Sequence, residues 1–190
     1  MKTKLLLSAI PLALCTLAGC AFKSSHASTH ENIREIAAPA PRGAISPRIT
    51  VMHDGAVLLS WLEPTDDNLA RLRASFWRNS VWSAPVTIAE GQPFSRHPSE
   101  SPGVLSLSKK NLIAYWSQKP PSQIPEKEVD VYFSVSTNGG ISWSAPQLAN
   151  EPGTGEESSY PSAAPLDGSR AALIWLDGTD WSKEKHVRLM

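Results

Sequence analysis

Cysteine is almost absent: the 190 residues hold two, Cys15 and Cys20, and none follows. A disulfide framework or a thiolate metal site beyond residue 20 is thereby excluded. An excess of one charge is lacking too, since 18 Lys and Arg balance 18 Asp and Glu. No basic stripe with interleaved aromatics appears, so nothing points to nucleic acid or an acidic polymer as a partner. The N-terminal apolar run, Leu5 to Leu17, is too short for a helix that spans a bilayer. Helical periodicity is weak throughout; "DDNLARLRASF" (Asp66–Phe76) could be drawn as a helix, but the repeats below argue for a strand at its second half.

What the N-terminus does contain is ordered. Lys2 and Lys4 precede the apolar run, and Leu17-Ala18-Gly19-Cys20 follows it at once, which reads as a signal peptide. The Leu-Ala-Gly-Cys order resembles the lipobox of bacterial lipoproteins, in which Cys becomes the lipidated first residue. That resemblance implies a signal peptide over 1–19, lipid on Cys20, attachment to a lipid bilayer and a place in the bacterial cell envelope. Ala21, rather than Asp, then fits outer-membrane sorting if the host is Gram-negative. An ordinary signal peptide with a chance cysteine is the alternative. Residues 20–45, rich in Ser, His, Ala and Pro, read as a flexible tether. His26 and His30 lie within it, but two ligands make a poor site, and no metal or other cofactor is expected.

From residue 46 the chain shows short β-rich runs separated by Gly, Pro, Asn and Asp, the pattern of an all-β fold. Three runs copy one another: Ser46–Trp61, His97–Trp116 and Tyr160–Trp175. Pro47 to Trp61 and Pro161 to Trp175 are both fourteen residues, and Pro98 to Trp116 is eighteen. Each copy reads as two strands joined by a turn. The second strands, "AVLLSW", "LIAYW" and "AALIW", are nearly continuous in apolar residues, which predicts burial on both faces. Trp-Ser-Ala-Pro recurs at Trp82 and Trp143, sixty-one residues apart. A period in the fifties with about four strands matches a propeller blade.

"STNGGISW" (Ser136–Trp143) carries a turn signal in Asn138-Gly139-Gly140 and then a tryptophan that a bare hairpin does not need. It resembles the Asp-box, or bacterial neuraminidase repeat: Ser136, Gly140, Ser142 and Trp143 match, and Asn138 stands where Asp is usual. Ser80–Trp82 is a decayed copy without the glycines. The resemblance implies a sialidase-like six-bladed β-propeller of four-stranded antiparallel blades. About two and a half blades are expected, over 46–92, 95–150 and 158–190, the third beginning its third strand at "VRLM". A closed ring at this period needs roughly twice this chain, which suggests a truncated sequence or a partner chain. The oligomeric state stays open.

In that family the box is structural and the chemistry lies near the propeller axis. The family's first substrate-binding arginine sits in Arg-Ile-Pro on the first inner strand; Arg48-Ile49-Thr50 matches two of the three positions. Its acid/base aspartate falls in the loop after that strand pair, where Asp66 and Asp67 stand. Pro47, Thr50 and the lack of an arginine after Glu63 depart from the pattern. Arg96, His97, Glu157 and Tyr160, just before the repeated Pro-Ser positions, are candidates to line the central funnel. Two functions follow as expectations: an anchored propeller binding glycans or envelope proteins, or an exo-acting retaining glycoside hydrolase of sialidase type, whose tyrosine nucleophile would lie beyond Met190.

Overall fold

The computed structural model describes residues 34–65, 69–97, 99–119, 129–151, 158–177 and 186–189, the last four by backbone alone. The chain divides into Met1–Ile36 and Ala37–Met190. Of the first unit, residues 34–36 are described and carry no regular structure.

The second unit is all β. Its first sheet contains β1 (Ile45–Val51), β2 (Val57–Pro64), β3 (Ala70–Arg78), β4 (Val81–Trp82) and β5 (Val86–Gln92). Both β4 and β5 pair with β3, so they are two pieces of one outer strand, interrupted by Ser83-Ala84-Pro85. The second sheet orders β6 (Gly103–Ser106), β7 (Leu112–Gln118), β8 (Asp130–Ser136) and β9 (Gln147–Leu148). The third orders β10 (Ser158–Pro165), β11 (Ala171–Asp177) and β12 (His186–Leu189). Every pairing is antiparallel, and each sheet is a meander of the kind expected for a blade. Among the described residues no helix is long and apolar enough to cross a membrane.

Alternation along each strand decides how the sheets stack. On β7, Leu112, Ala114 and Trp116 join Leu58, Leu62 and Leu72 of the first sheet in one core. Tyr115, between them, joins Leu173 and Trp175 of the third sheet in another. The second sheet is thus covered on both faces, as its apolar run requires. The expectation for "AALIW" needs correction: Leu173 and Trp175 are buried, but Ile174 is 40% exposed. Among the described residues, the only sheet that packs on β11 covers one face. Ile49 and Val51 of β1 are exposed at the opposite end of the stack.

The stretch Asp66–Phe76 becomes a strand from Ala70 because its burial has period two over its first half: Ala70, Leu72 and Ala74 are buried, while Arg71 and Arg73 are half-buried. Those arginines meet Glu63 at 3.9 and 3.6 Å, and Arg71 also meets Glu90 at 2.8 Å.

Turn chemistry repeats with the strands. The Ser136 hydroxyl accepts from the Gly140 N–H at 2.9 Å, and the Asn138 carboxamide oxygen accepts from the Ser142 N–H at 3.0 Å. Asn138 Nδ2 donates to the Ser142 hydroxyl at 2.7 Å, a bond that an aspartate could not donate. Gly140 has φ of 88°, and a Cβ there would strike the Phe76 ring of the first sheet. Trp143 packs on the core between the first two sheets, and its indole N–H donates to the Gly140 carbonyl. The Ser80–Trp82 copy instead makes a tight hairpin with Asn79 and Ser80 both at positive φ, 50° and 62°. Beyond each turn the same clamp recurs: Ser75 and Ser134 donate to the carbonyls of Ser83 and Ser144, both at 2.8 Å.

Candidate functional site

The meanders sort the connections between the two ends of the stack. Turns at 52–56, 79–80, 107–111 and 166–170, with the box at 137–146, all lie at one end. At the other end β2, β7 and β11 finish and β3, β8 and β12 begin, and there too the inner strands β6 and β10 start. Arg48, Arg96, His97 and Tyr160 all belong to this second end. Loops gathered on a rigid β scaffold are where binding groups are usually presented. Cys20, Asp66, Asp67 and Glu157 lie outside the described residues.

Arg48 projects from the innermost strand of the first sheet. Its guanidinium donates to the Ser101 carbonyl at 3.3 Å and lies over the Tyr115 ring, 5.9 Å from the centroid. Tyr115 is buried against Gly103, where any Cβ would collide with the phenol ring. Beside this contact, the Thr50 hydroxyl donates to the Val104 carbonyl at 2.6 Å, so inner strands β1 and β6 stand side by side.

His97 and Tyr160 are brought together across the second and third sheets, their rings edge to face at 6.2 Å. Tyr160 holds φ of 56°, inside a register shift between Ser159 and Ser162. Ser46 does the same at φ 52°, inside the shift between Ile45 and Arg48. Both residues precede the repeated proline. A non-glycine residue at such φ costs on the order of 1–2 kcal/mol, and bulges of this kind re-aim side chains next to functional sites.

Arg96 does not join that pair. Its guanidinium donates to the Leu69 carbonyl at 3.0 Å, just ahead of the third strand of the first sheet. Glu100, in contrast, was not among the residues expected from sequence. It is 5% exposed, and its N–H donates to the His97 carbonyl at 2.9 Å. Nothing in "HPSESPG" distinguishes a buried glutamate from a solvated one.

A second unexpected feature was readable. Trp61 Nε1 donates to Glu63 Oε1 at 2.9 Å and Trp116 Nε1 to Gln118 Oε1 at 2.6 Å, so Trp-x-Glu/Gln is a tether repeated at this end. "WLE", "WSQ" and "WLD" align when the copies are laid on one another. In the third copy the bond is not made: Asp177 Oδ1 accepts from the Ser158 hydroxyl at 3.2 Å, and Trp175 Nε1 has no partner among the described residues. Nearby, burial, helped by the Asp130 charge, pushes the Tyr132 phenol above its ordinary value, while a Gln118 hydrogen bond pulls it back. Among the described residues no three His, Cys, Asp or Glu side chains gather as a metal site would need.

No family model matches the chain, and no curated protein does. Among solved structures, the Penicillium chrysogenum alpha-L-arabinanase complexed with arabinobiose aligns at TM-score 0.53 and 18% identity, over 76% of this chain and 45% of that one. The fold is a partial β-propeller. A thermostable family-43 glycoside hydrolase aligns at TM-score 0.49 and 13% identity, over 80% of this chain and 55% of the other. The GH93 alpha-L-arabinofuranosidase of Fusarium graminearum with arabinobiose aligns at 0.45 and 17%, over 71% and 41%. The chain therefore spans about half the length of the structures it matches. Its three sheets are three consecutive blades, with β1, β6 and β10 as the inner strands of the propeller.

Proposed function

We propose that the chain is a lipid-anchored envelope protein whose propeller binds glycans at its loop-bearing end. The observation that carries this reading is the pair of contacts there: Arg48 on Tyr115, and His97 against Tyr160. Sugars present C–H faces that stack on aromatic rings and hydroxyls that accept from cations and imidazoles. Arg48, seated on the buried Tyr115 ring, and His97 supply the donors, and the partly exposed Tyr160 supplies the aromatic face. The arabinobiose in the similar arabinanase belongs to that protein; it supports a sugar here only by analogy of fold. The Leu17-Ala18-Gly19-Cys20 box supports the anchor.

The test is calorimetric titration of the detergent-solubilised full chain with arabino-oligosaccharides and sialyl-lactose. Binding that is weakened by Arg48→Gln and Tyr160→Ala, but unchanged by Asn138→Ala at the far end, is the expected result. Equal binding by all three variants would remove the site from this end.

A hydrolase of the exo-acting, sialidase type is the second reading, and one observation favours it. Glu100 is a buried carboxyl next to Ser101, whose carbonyl anchors Arg48. A carboxyl at that place stands beside the arginine that would hold a sugar, where a group acting on the glycosidic bond is needed. On this reading Glu100→Gln stops release of reducing sugar while leaving binding intact; no release by the wild-type chain from either glycan sinks it.

A further inference from the structure

Between the first and second blades, at the loop-bearing end, lies a cleft of about 310 Å³ lined by Pro93, Phe94, Ser95, Arg96, Lys119 and Val129. Its floor is apolar and firm. Phe94 is buried and tilts against Trp116 with centroids 5.5 Å apart. The backbone around it is fixed by the Ser95 N–H donating to the Ser117 carbonyl at 2.8 Å and the Lys119 N–H donating to the Pro93 carbonyl at 3.1 Å. Its rim is cationic. Among the described residues neither Arg96 nor Lys119 has a carboxylate partner, and no acid lines the cleft. Arg96 uses a terminal N–H on the Leu69 carbonyl, which holds the guanidinium in place and leaves its other donors for a ligand.

We propose that this cleft is a second binding site, distinct from the Arg48 and Tyr160 contacts, for a single sugar residue bearing a carboxylate. The volume lies at the small end of ligand pockets, which suits one pyranose rather than a longer chain. An apolar floor beneath two cations fits a ring with one C–H face and an acidic substituent at its edge. The planar guanidinium takes a carboxylate through two parallel bonds, and the ammonium adds a point charge. Only the sugar body rests on the glycan reading above; the anionic half rests on the cleft alone.

The experiment is titration of the full chain, in neutral detergent, with D-galacturonate, D-galactose and sodium sulfate at two salt concentrations. Saturable binding of galacturonate, weakened by salt and weakened about five-fold or more by Arg96→Gln and again by Lys119→Gln, is the expected result. Both side chains are exposed, so the variants keep the wild-type melting temperature. Tyr160→Ala leaves galacturonate binding unchanged, which separates this site from the one above. Absence of galacturonate binding, or equal binding by the Arg96→Gln/Lys119→Gln double variant, overturns the proposal. Galactose binding that Arg96→Gln also weakens removes the carboxylate from it, and sulfate binding weakened by the same variant removes the sugar.

Discussion

At the scale of single residues, the indole tether and the glycine seat make separable predictions. Gln118 is 2% exposed and accepts from Trp116 Nε1. Gln118→Leu leaves that buried N–H without a partner, which should cost about 1–3 kcal/mol in urea unfolding. Gly103→Ala places a methyl group against the Tyr115 ring. Overpacking of this kind costs about 1–3 kcal/mol, and the displaced ring should also weaken any ligand that depends on Arg48. Some of this scale was legible in sequence. Asn138-Gly139-Gly140 announced a turn that needs positive φ, and Trp143 announced an anchor. The parting of Arg96 from His97 was not legible, because neighbours in sequence at a loop crossing can reach opposite partners. Glu100 was hidden for a related reason: burial in a loop comes from contacts far along the chain and leaves no period.

At the scale of elements, the blade is a meander whose turns are held by short polar side chains. Asp54, in the β1–β2 turn, accepts from the Ala56 N–H at 3.1 Å and from Arg78 at 3.0 Å. The backbone bond first, and then Arg78, hold its carboxyl below the ordinary value of 3.8. A depressed folded-state value stabilises the fold above the unfolded value, and that stability is lost as pH falls through the folded one. Asp54→Asn should therefore flatten the loss of stability below about pH 4, read as melting temperature against pH, while costing little of the turn. The strand pairs were legible because Pro and Trp keep one spacing in the first and third copies and bracket an insertion in the second, and β3 emerged because Leu72 and Ala74 alternate with Arg71 and Arg73. Division of the first blade's outer strand into β4 and β5 was not, since the interruption depends on how Ser83 clamps back to Ser75.

At the scale of the whole molecule, the two ends of the propeller are built differently. One end carries the tight turns and the box, the other the crossings, the aromatic contacts and the cationic cleft. If the lipobox reading is right, Cys20→Ser abolishes incorporation of labelled palmitate and moves the protein out of the membrane pellet. Retention of both label and pellet would point to another anchor. The box of the second blade has one more consequence. Gly140 rests on the ring of Phe76, and Trp143 on the core the two blades share, so the second blade cannot finish its outer turn until the first has set its third strand. A ribosome delivers Phe76 before Gly140, and domains emerging N-terminus first can fold as they appear. Synthesis then runs in the order in which the first blade serves as the mould for the turn of the second.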